Sequence, residues 1–139
     1  MAKFISNTYQ RNNFVKLCGV GIKEIHFGEA VLNIEIDDDK HTNLYGAAHG
    51  GVIGTLADTA CGVVSASVGY RVVTLNLNIN YIDSIYLMDE ATAYAKIVHR
   101  GMSTLVIEVE IRNGKKDLMA KAMGTMFVVG RFEEIPERW

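Results

Sequence analysis

One acidic residue, Asp58, stands alone in a long uncharged stretch and is the first position whose type could do chemistry. Of the thirty residues from His41 to Tyr70, it is the only Asp, Glu, Lys or Arg. The same stretch holds six glycines, which weaken a helix unless another group must approach closely. A helix face exposed to water usually carries several charges, so we favour a functional carboxylate over an ordinary surface one.

The residues His49, Gly50 and Gly51 lie where the helix that carries Asp58 should begin. The first backbone N–H groups of a helix have no partner inside it, so they can donate hydrogen bonds to a substrate oxygen. This predicts an oxyanion site at the start of the helix. The alternative is that His49 only caps the helix and the glycines only permit a tight turn, and the residues leave both interpretations open.

The spacing of His49 and Asp58 bears on whether the protein acts as a monomer or as a dimer. His49 and Asp58 are nine positions apart, which places them on the order of 13 Å apart along one helix. They cannot meet within one chain, but two antiparallel helices related by a two-fold axis bring unlike ends together. If both residues act on one small substrate, the protein is a homodimer whose subunits share the active site.

Alternation of apolar and polar residues predicts an antiparallel sheet around this helix, which gives an α+β fold class. The predicted strands are 20–27, 32–36, 72–81, 91–98, 105–111 and 118–129. Turns are expected at Phe27-Gly28-Glu29 and at Asn113-Gly114. The central helix is predicted from about Ala48 to Ser67, and a short helix within residues 5–17 is predicted to be capped by Ser6 or Asn7.

The same periodicities assign faces to two of these elements. In the strand 72–81, one face is predicted to hold Val73, Leu75, Leu77, Ile79 and Tyr81, opposite Thr74 and three asparagines. The face of the central helix against the sheet is predicted to hold Val52, Ile53, Leu56, Ala60, Val63 and Val64. The other face is predicted to be a groove of small residues around Asp58: Gly51, Gly54, Cys61, Gly62 and Ser65.

Composition excludes several classes of function. We expect one domain over residues 1–139, with residues 1–18 as an N-terminal helical segment and 131–139 as a C-terminal tail. The net charge of −2 gives no basic surface for nucleic acid. Cys18 and Cys61 are isolated and the four histidines lack zinc-site spacing, so neither a disulfide nor a metal is expected. The N-terminus does not resemble a signal peptide, which favours a cytoplasmic protein.

The apolar stretch from Gly50 to Gly69 is long enough to raise the question of a membrane span. It is interrupted by Gly, Ser and Thr, and Asp58 at its centre would cost roughly 2.5 to 3.5 kcal/mol on insertion. We therefore do not expect the protein to enter a membrane.

The motif N-x2-G-x2-HGG-x6-D, formed by Asn43, Gly46, His49 to Gly51 and Asp58, precedes the strand LNLNINY. In this it resembles the hot-dog-fold acyl-CoA thioesterases of the phenylacetate-degradation (PaaI-like) group. The resemblance implies a long helix wrapped by a curved antiparallel sheet, with subunits paired into a double hot dog and often joined into homotetramers. It also implies hydrolysis of an acyl-CoA, aromatic or medium-chain, to free coenzyme A and a carboxylic acid.

The resemblance also implies roles for single residues. Asp58 would be the nucleophile or the general base that activates water, and the Gly50 N–H would polarise the thioester carbonyl. Asn43 and His49 would orient the thioester from the same subunit as Gly50, beside Gly51. Thr74 matches a position that holds the attacking water, although β propensity alone explains a threonine there.

Coenzyme A is part of the expected substrate, and no separate cofactor is expected. Its phosphates need cations, and the turn formed by Arg100, Gly101, Met102 and Ser103 lies where similar proteins place part of the nucleotide site. Two alternatives stay open: an acyl-CoA binding or sensing module without turnover, and a hydratase or dehydratase on the same fold.

Overall fold

The computed structural model describes all residues from 1 to 139 and contains three helices and six strands. In chain order they are α1 (Ala2–Gln10), α2 (Asn13–Cys18), β1 (Gly21–His26), β2 (Glu29–Glu35), α3 (Gly50–Ser67), β3 (Tyr70–Tyr81), β4 (Glu90–Arg100), β5 (Thr104–Arg112) and β6 (Leu118–Arg131).

The six strands form one antiparallel sheet in the order β1-β2-β4-β5-β6-β3. The chain leaves the sheet after β2, runs through α3 and returns at the opposite edge as β3. The sheet therefore has α3 across one face, and the predicted α+β class is confirmed.

The core lies between α3 and the strands of the sheet. Leu56, Ala57 and Ala60 of α3 are fully buried, as is Ala93 on the facing strand β4. Alanine side chains on β4 let the helix lie close to the sheet, as the sequence predicted, and interiors of this kind are packed as densely as organic crystals. A fully buried leucine such as Leu56 contributes about 1.5 to 3 kcal/mol relative to an exposed one.

The predicted faces of β3 are wrong at its start because the strand contains a bulge. Thr74 pairs with Met126 of β6, and Asn76 pairs with Thr125, which is adjacent to Met126 in sequence. Leu75 is therefore an extra residue of β3 without a partner on β6. An extra residue reverses the alternation of side chains. Val73 and Leu75 are therefore 52% and 59% exposed, and Thr74 faces α3.

The predicted N-terminal helix is divided into α1 and α2. The Asn12 side chain accepts hydrogen bonds from the N–H groups of Phe14 and Val15, at 3.0 and 3.3 Å, and so starts α2 as an N-cap. Ser6 and Asn7, which were expected to cap, lie inside α1, which begins at Ala2 without a side-chain cap.

The predicted groove of small residues is closed along its second half. Cys61 and Ser65 are fully buried, and Gly62 lies against Tyr9 of α1. Only Gly51, Gly54 and Asp58 keep access to solvent, because β6 and α1 cover the rest.

The end of the chain packs against the end of α3. Ile135 is buried, and the Trp139 Nε1–H donates a hydrogen bond to the Ser67 carbonyl oxygen at 2.7 Å. None of the helices has both the length and the apolar character needed to cross a membrane.

Candidate active site

A buried histidine fixes the loop in front of α3. The His41 side chain is 4% exposed, and its Nδ1 accepts a hydrogen bond from the Asp37 N–H at 2.9 Å. Because Nδ1 accepts, Nε2 carries the proton and donates to the Cys18 carbonyl oxygen at 2.7 Å. The His41 carbonyl oxygen then accepts from the His49 N–H at 2.7 Å, so this residue sets where α3 begins. Sequence analysis missed it, and its only signal was an isolated histidine in a polar loop.

Asn43 closes the next part of the same loop. Its Oδ1 accepts hydrogen bonds from the N–H groups of Tyr45 and Ala47 at 2.8 and 3.1 Å, and Gly46 takes the left-handed conformation that the turn requires, with φ of 78°. The Asn43 backbone N–H also donates to the Ala47 carbonyl oxygen at 2.7 Å, whereas its side-chain Nδ2 donates to no group of the chain. Asn43 therefore holds the loop with its backbone and Oδ1 and offers Nδ2 to solvent.

His49 and Gly50 form the first turn of α3. The Nδ1 atom of His49 accepts from the Gly51 N–H at 2.8 Å, which makes His49 the N-cap of the helix. The N–H groups of Val52 and Ile53 donate to the His49 carbonyl oxygen. The Gly50 N–H has no acceptor within the chain and is free for a ligand oxygen.

Asp58 and Thr74 are brought together by the bulge in β3. The Thr74 hydroxyl donates a hydrogen bond to Asp58 Oδ1 at 2.5 Å, which leaves Oδ2 without a partner in the chain. None of the salt bridges in the chain involves Asp58. The Asp58 carboxylate is half-buried. Thr74 holds its Oδ1 in one orientation, and its Oδ2 is available to a ligand.

Two titratable side chains beside Asp58 are held neutral. Burial, with a smaller contribution from the Asp58 charge, raises the pKa of Tyr9 to about 12 and that of Cys61 to about 12. A phenol and a thiol with pKa values this high stay protonated near pH 7. Asp58 therefore has neutral neighbours on these two sides.

The two groups of candidate residues do not meet within one chain. Gly50 and Asp58 are both on the continuous helix α3, eight residues apart, or about 12 Å along its axis. Asn43, His49 and Gly50 gather at the helix start, whereas Thr74 joins Asp58 farther along.

The residues predicted to bind phosphates lie beyond the other end of α3. The Arg100 guanidinium donates to the Val68 carbonyl oxygen at 3.3 Å and stacks on the rings of Tyr70 and Phe27 at 5.1 and 5.6 Å. Arg131, which sequence analysis missed, stacks on the same Tyr70 ring at 4.8 Å. Neither arginine forms a salt bridge, so both charges are uncompensated.

Gly101 and Ser103 shape the turn that follows Arg100. The Gly101 N–H donates to the Thr104 carbonyl oxygen at 2.8 Å, and the Ser103 carbonyl oxygen accepts from the Val128 N–H at 2.8 Å. These two hydrogen bonds hold the β4–β5 turn against β6, and the Ser103 hydroxyl has no partner in the chain.

Comparison with known proteins identifies the family of the chain. The family model of the thioesterase superfamily matches residues 45–120. A putative esterase of Archaeoglobus fulgidus is 30% identical over 128 residues, covering 92% of this chain and 81% of that protein. The acyl-coenzyme A thioesterase PaaI of Escherichia coli is 28% identical over 122 residues, covering 88% of this chain and 86% of its own length.

Solved structures agree with these relatives. The structure of E. coli PaaI matches this one with a TM-score of 0.86 at 27% identity, covering 91% of each chain. A hypothetical thioesterase of Streptococcus pneumoniae, solved with coenzyme A, matches with a TM-score of 0.79 at 36% identity, covering 82% of this chain and 91% of that one.

The fold and these matches define a thioester hydrolase with the hot-dog fold. The chain belongs to the thioesterase superfamily, and its resemblance to the PaaI-like group is confirmed.

Proposed function

We propose that this protein hydrolyses the thioester of an acyl-coenzyme A, releasing coenzyme A and a carboxylic acid, with Asp58 at the reacting centre. The observation that carries this proposal is the hydrogen bond from Thr74 to Asp58 on the accessible part of α3. In the S. pneumoniae thioesterase, an aspartate and a threonine sixteen positions apart have each been replaced by alanine in solved structures. Asp58 and Thr74 have the same separation.

The complete site needs two chains. We place Asp58 and Thr74 of one subunit opposite Asn43, His49 and Gly50 of its partner, because the helix is too long for one chain to bring them together. β3 is an edge strand of the sheet, so its outer backbone groups are available to pair with the same strand of a second copy. Assembly of two such dimers into a homotetramer stays a prediction.

In this arrangement the reaction begins at the thioester carbonyl carbon. Either Asp58 Oδ2 attacks that carbon, or it takes a proton from a water molecule that attacks. In both cases the carbonyl oxygen becomes an oxyanion, which accepts a hydrogen bond from the free Gly50 N–H at the positive end of the helix dipole. The carbon–sulfur bond then breaks and coenzyme A leaves as its thiolate. If Asp58 attacked, water hydrolyses the acyl-enzyme anhydride in a second step.

An aromatic or medium-chain acyl group is the substrate class we favour. A groove beside the helix start has apolar lining from Phe14, Cys18 and Val52 among polar residues such as Lys40 and His49, and Phe14 is largely exposed there. Burial of a ligand against such apolar surface is favourable at roughly 25 cal/mol per Å². At the other end of α3, we expect the uncompensated charge of Arg100 and the Ser103 hydroxyl to bind the coenzyme A phosphates, with Gly101 shaping the turn between them.

The first test measures thiol release from a panel of acyl-coenzyme A esters by the native protein and by Asp58→Asn. We expect hydrolysis of at least one ester and a rate loss on the order of 100-fold or more in the variant. Asp83→Asn, in a surface loop, is the matched control and should keep the native rate. If the native protein binds the esters but hydrolyses none, the sensing module becomes the better interpretation.

A second test asks whether two chains share the site. Gly50→Pro removes the proposed oxyanion donor but suits the first position of a helix, since His49 before it is extended with ψ of 139°. Asp58→Asn and Gly50→Pro should each be inactive alone. Random mixing of the two chains should restore about a quarter of the native rate, because each mixed dimer keeps one intact site. A site within one chain would give no recovery.

A further inference from the structure

The side chain of Tyr9 packs closely against α3 at Gly62. A Cβ atom at Gly62 would lie 3.1 Å from the Tyr9 hydroxyl oxygen and 3.3 Å from its ring carbon Cε1. Gly62 follows Asp58 by four residues, which is about one helical turn, so the two positions share a face of α3. The hydroxyl of Tyr9 is therefore held over the helix face that carries the carboxylate.

The Tyr9 hydroxyl has no hydrogen-bond partner in the chain. Its backbone is nevertheless fixed, because the Asn12 N–H donates to the Tyr9 carbonyl oxygen at 3.0 Å and Ile5 anchors α1 in the core. No buried side-chain polar atom of the chain lacks a partner, so the unpartnered Tyr9 hydroxyl is open to solvent. Here a rigidly placed donor faces the site without an acceptor.

Hydroxyl groups from two different elements therefore lie along the face of α3 that carries Asp58. Thr74 donates to Oδ1 from β3, and Tyr9 reaches the same face from α1, one helical turn farther along. Burial, with a smaller contribution from the charge of Asp58, raises the pKa of Tyr9 to about 12, so Tyr9 can donate a hydrogen bond but is a poor proton donor in acid catalysis near pH 7. Its chemistry is that of a neutral donor.

We infer that the Tyr9 hydroxyl donates a hydrogen bond to the water molecule consumed in hydrolysis, beside Asp58. The water oxygen accepts from Tyr9 while one of its protons is directed at the carboxylate, which aims a lone pair at the acyl carbon. Both routes through Asp58 need such a water, since an acyl-enzyme anhydride must also be hydrolysed. Tyr9 is thus a further catalytic residue, and this inference rests on the proposed function.

The test compares Tyr9→Phe with the native protein, because phenylalanine keeps the ring packing and removes only the hydroxyl. We expect kcat to fall about tenfold or more, with the dissociation constant of the acyl-coenzyme A and the thermal midpoint unchanged. Tyr94→Phe, on the outer face of the sheet, should change none of these quantities. An unchanged kcat in Tyr9→Phe overturns the inference while leaving the role of Asp58 intact.

Two further variants separate catalysis from structure. Gly62→Ala keeps the hydroxyl but displaces it, so it should lower kcat. In an Asp58→Asn background, Tyr9→Phe should cause little additional loss, because the two residues act on one water. An equal loss in both backgrounds would overturn the inference, and a native protein without hydrolysis would overturn the proposed function with it.

Discussion

The hydroxyl of Tyr81 donates a hydrogen bond to the carbonyl oxygen of Gly50 at 2.7 Å. This contact joins the last residue of β3 to the first residue of α3, and the tyrosine ring covers the helix start. A Cβ at Gly50 would lie 3.4 Å from the same hydroxyl, so the glycine and the tyrosine fit each other closely. The orientation of the proposed oxyanion donor therefore depends on the sheet as well as on the helix.

Tyr81→Phe tests that dependence. Removal of one partly exposed hydrogen bond should cost about 0.5 to 1.5 kcal/mol of stability, because the Gly50 carbonyl can turn to water. We also expect kcat to fall several-fold, because the first turn of α3 and its Gly50 N–H are no longer held in one orientation. Denaturant unfolding and thiol-release kinetics would measure the two effects. A variant with native kcat and reduced stability would assign Tyr81 a purely structural role.

Gly124 of β6 packs directly against Cys61 of α3. A Cβ at position 124 would lie 2.6 Å from the Cys61 sulfur but at an ordinary 3.7 Å from its Cβ. Gly124→Ala should therefore destabilise the protein by about 1 to 3 kcal/mol. Adding Cys61→Ala should restore most of the loss, because it removes the clashing atom and the new methyl occupies its space. Purely additive losses in chemical denaturation would contradict this packing.

The two cysteines should differ sharply in reactivity. Burial and the charge of Asp58 raise the pKa of Cys61 to about 12, so its thiol stays protonated and inaccessible at pH 8. Cys18 is partly exposed. Titration of the native protein with a thiol reagent should modify Cys18 alone, and denaturant should release a second equivalent. Cys18→Ser provides the control, and rapid native modification of that variant would refute the prediction.

Glu110 should make stability depend on pH in a predictable direction. Hydrogen bonds from Arg112 and Lys121 hold the pKa of Glu110 below its ordinary value of 4.5. A lowered folded-state pKa stabilises the protein above the ordinary value, and the contribution is lost as pH falls through the lowered one. Because the pair is partly exposed, Glu110→Gln should cost no more than about 1 kcal/mol at pH 7.

The comparison of Glu110→Gln with the native protein should be repeated at pH 3 and in high salt. The difference in unfolding free energy should shrink in both conditions, since protonation and screening weaken the same ion pairs. A difference that grows at pH 3 would show that another interaction dominates.

Local patterns predicted the elements of this fold well, because hydrophobic periodicity reports which side of a segment is buried. The long helix from Gly50 to Ser67 and the strand ending at Tyr81 were both placed within a few residues. The break at Asn12 was missed, although asparagine is a good N-cap, because the apolar pattern on either side of it is weak.

By itself, the sequence determined the α+β class and the isolated Asp58 on a glycine-rich helix. It also determined that His49 and Asp58 are too far apart along that helix to act together within one chain. Those properties depend on residue type and on distances along the chain. Only the tertiary structure decided that a bulge at Leu75 turns Thr74 toward Asp58, that β6 and α1 close half of the groove, and that Tyr9 arrives above Gly62. Each of these depends on contacts between segments far apart in sequence, and local periodicity carries no information about such contacts.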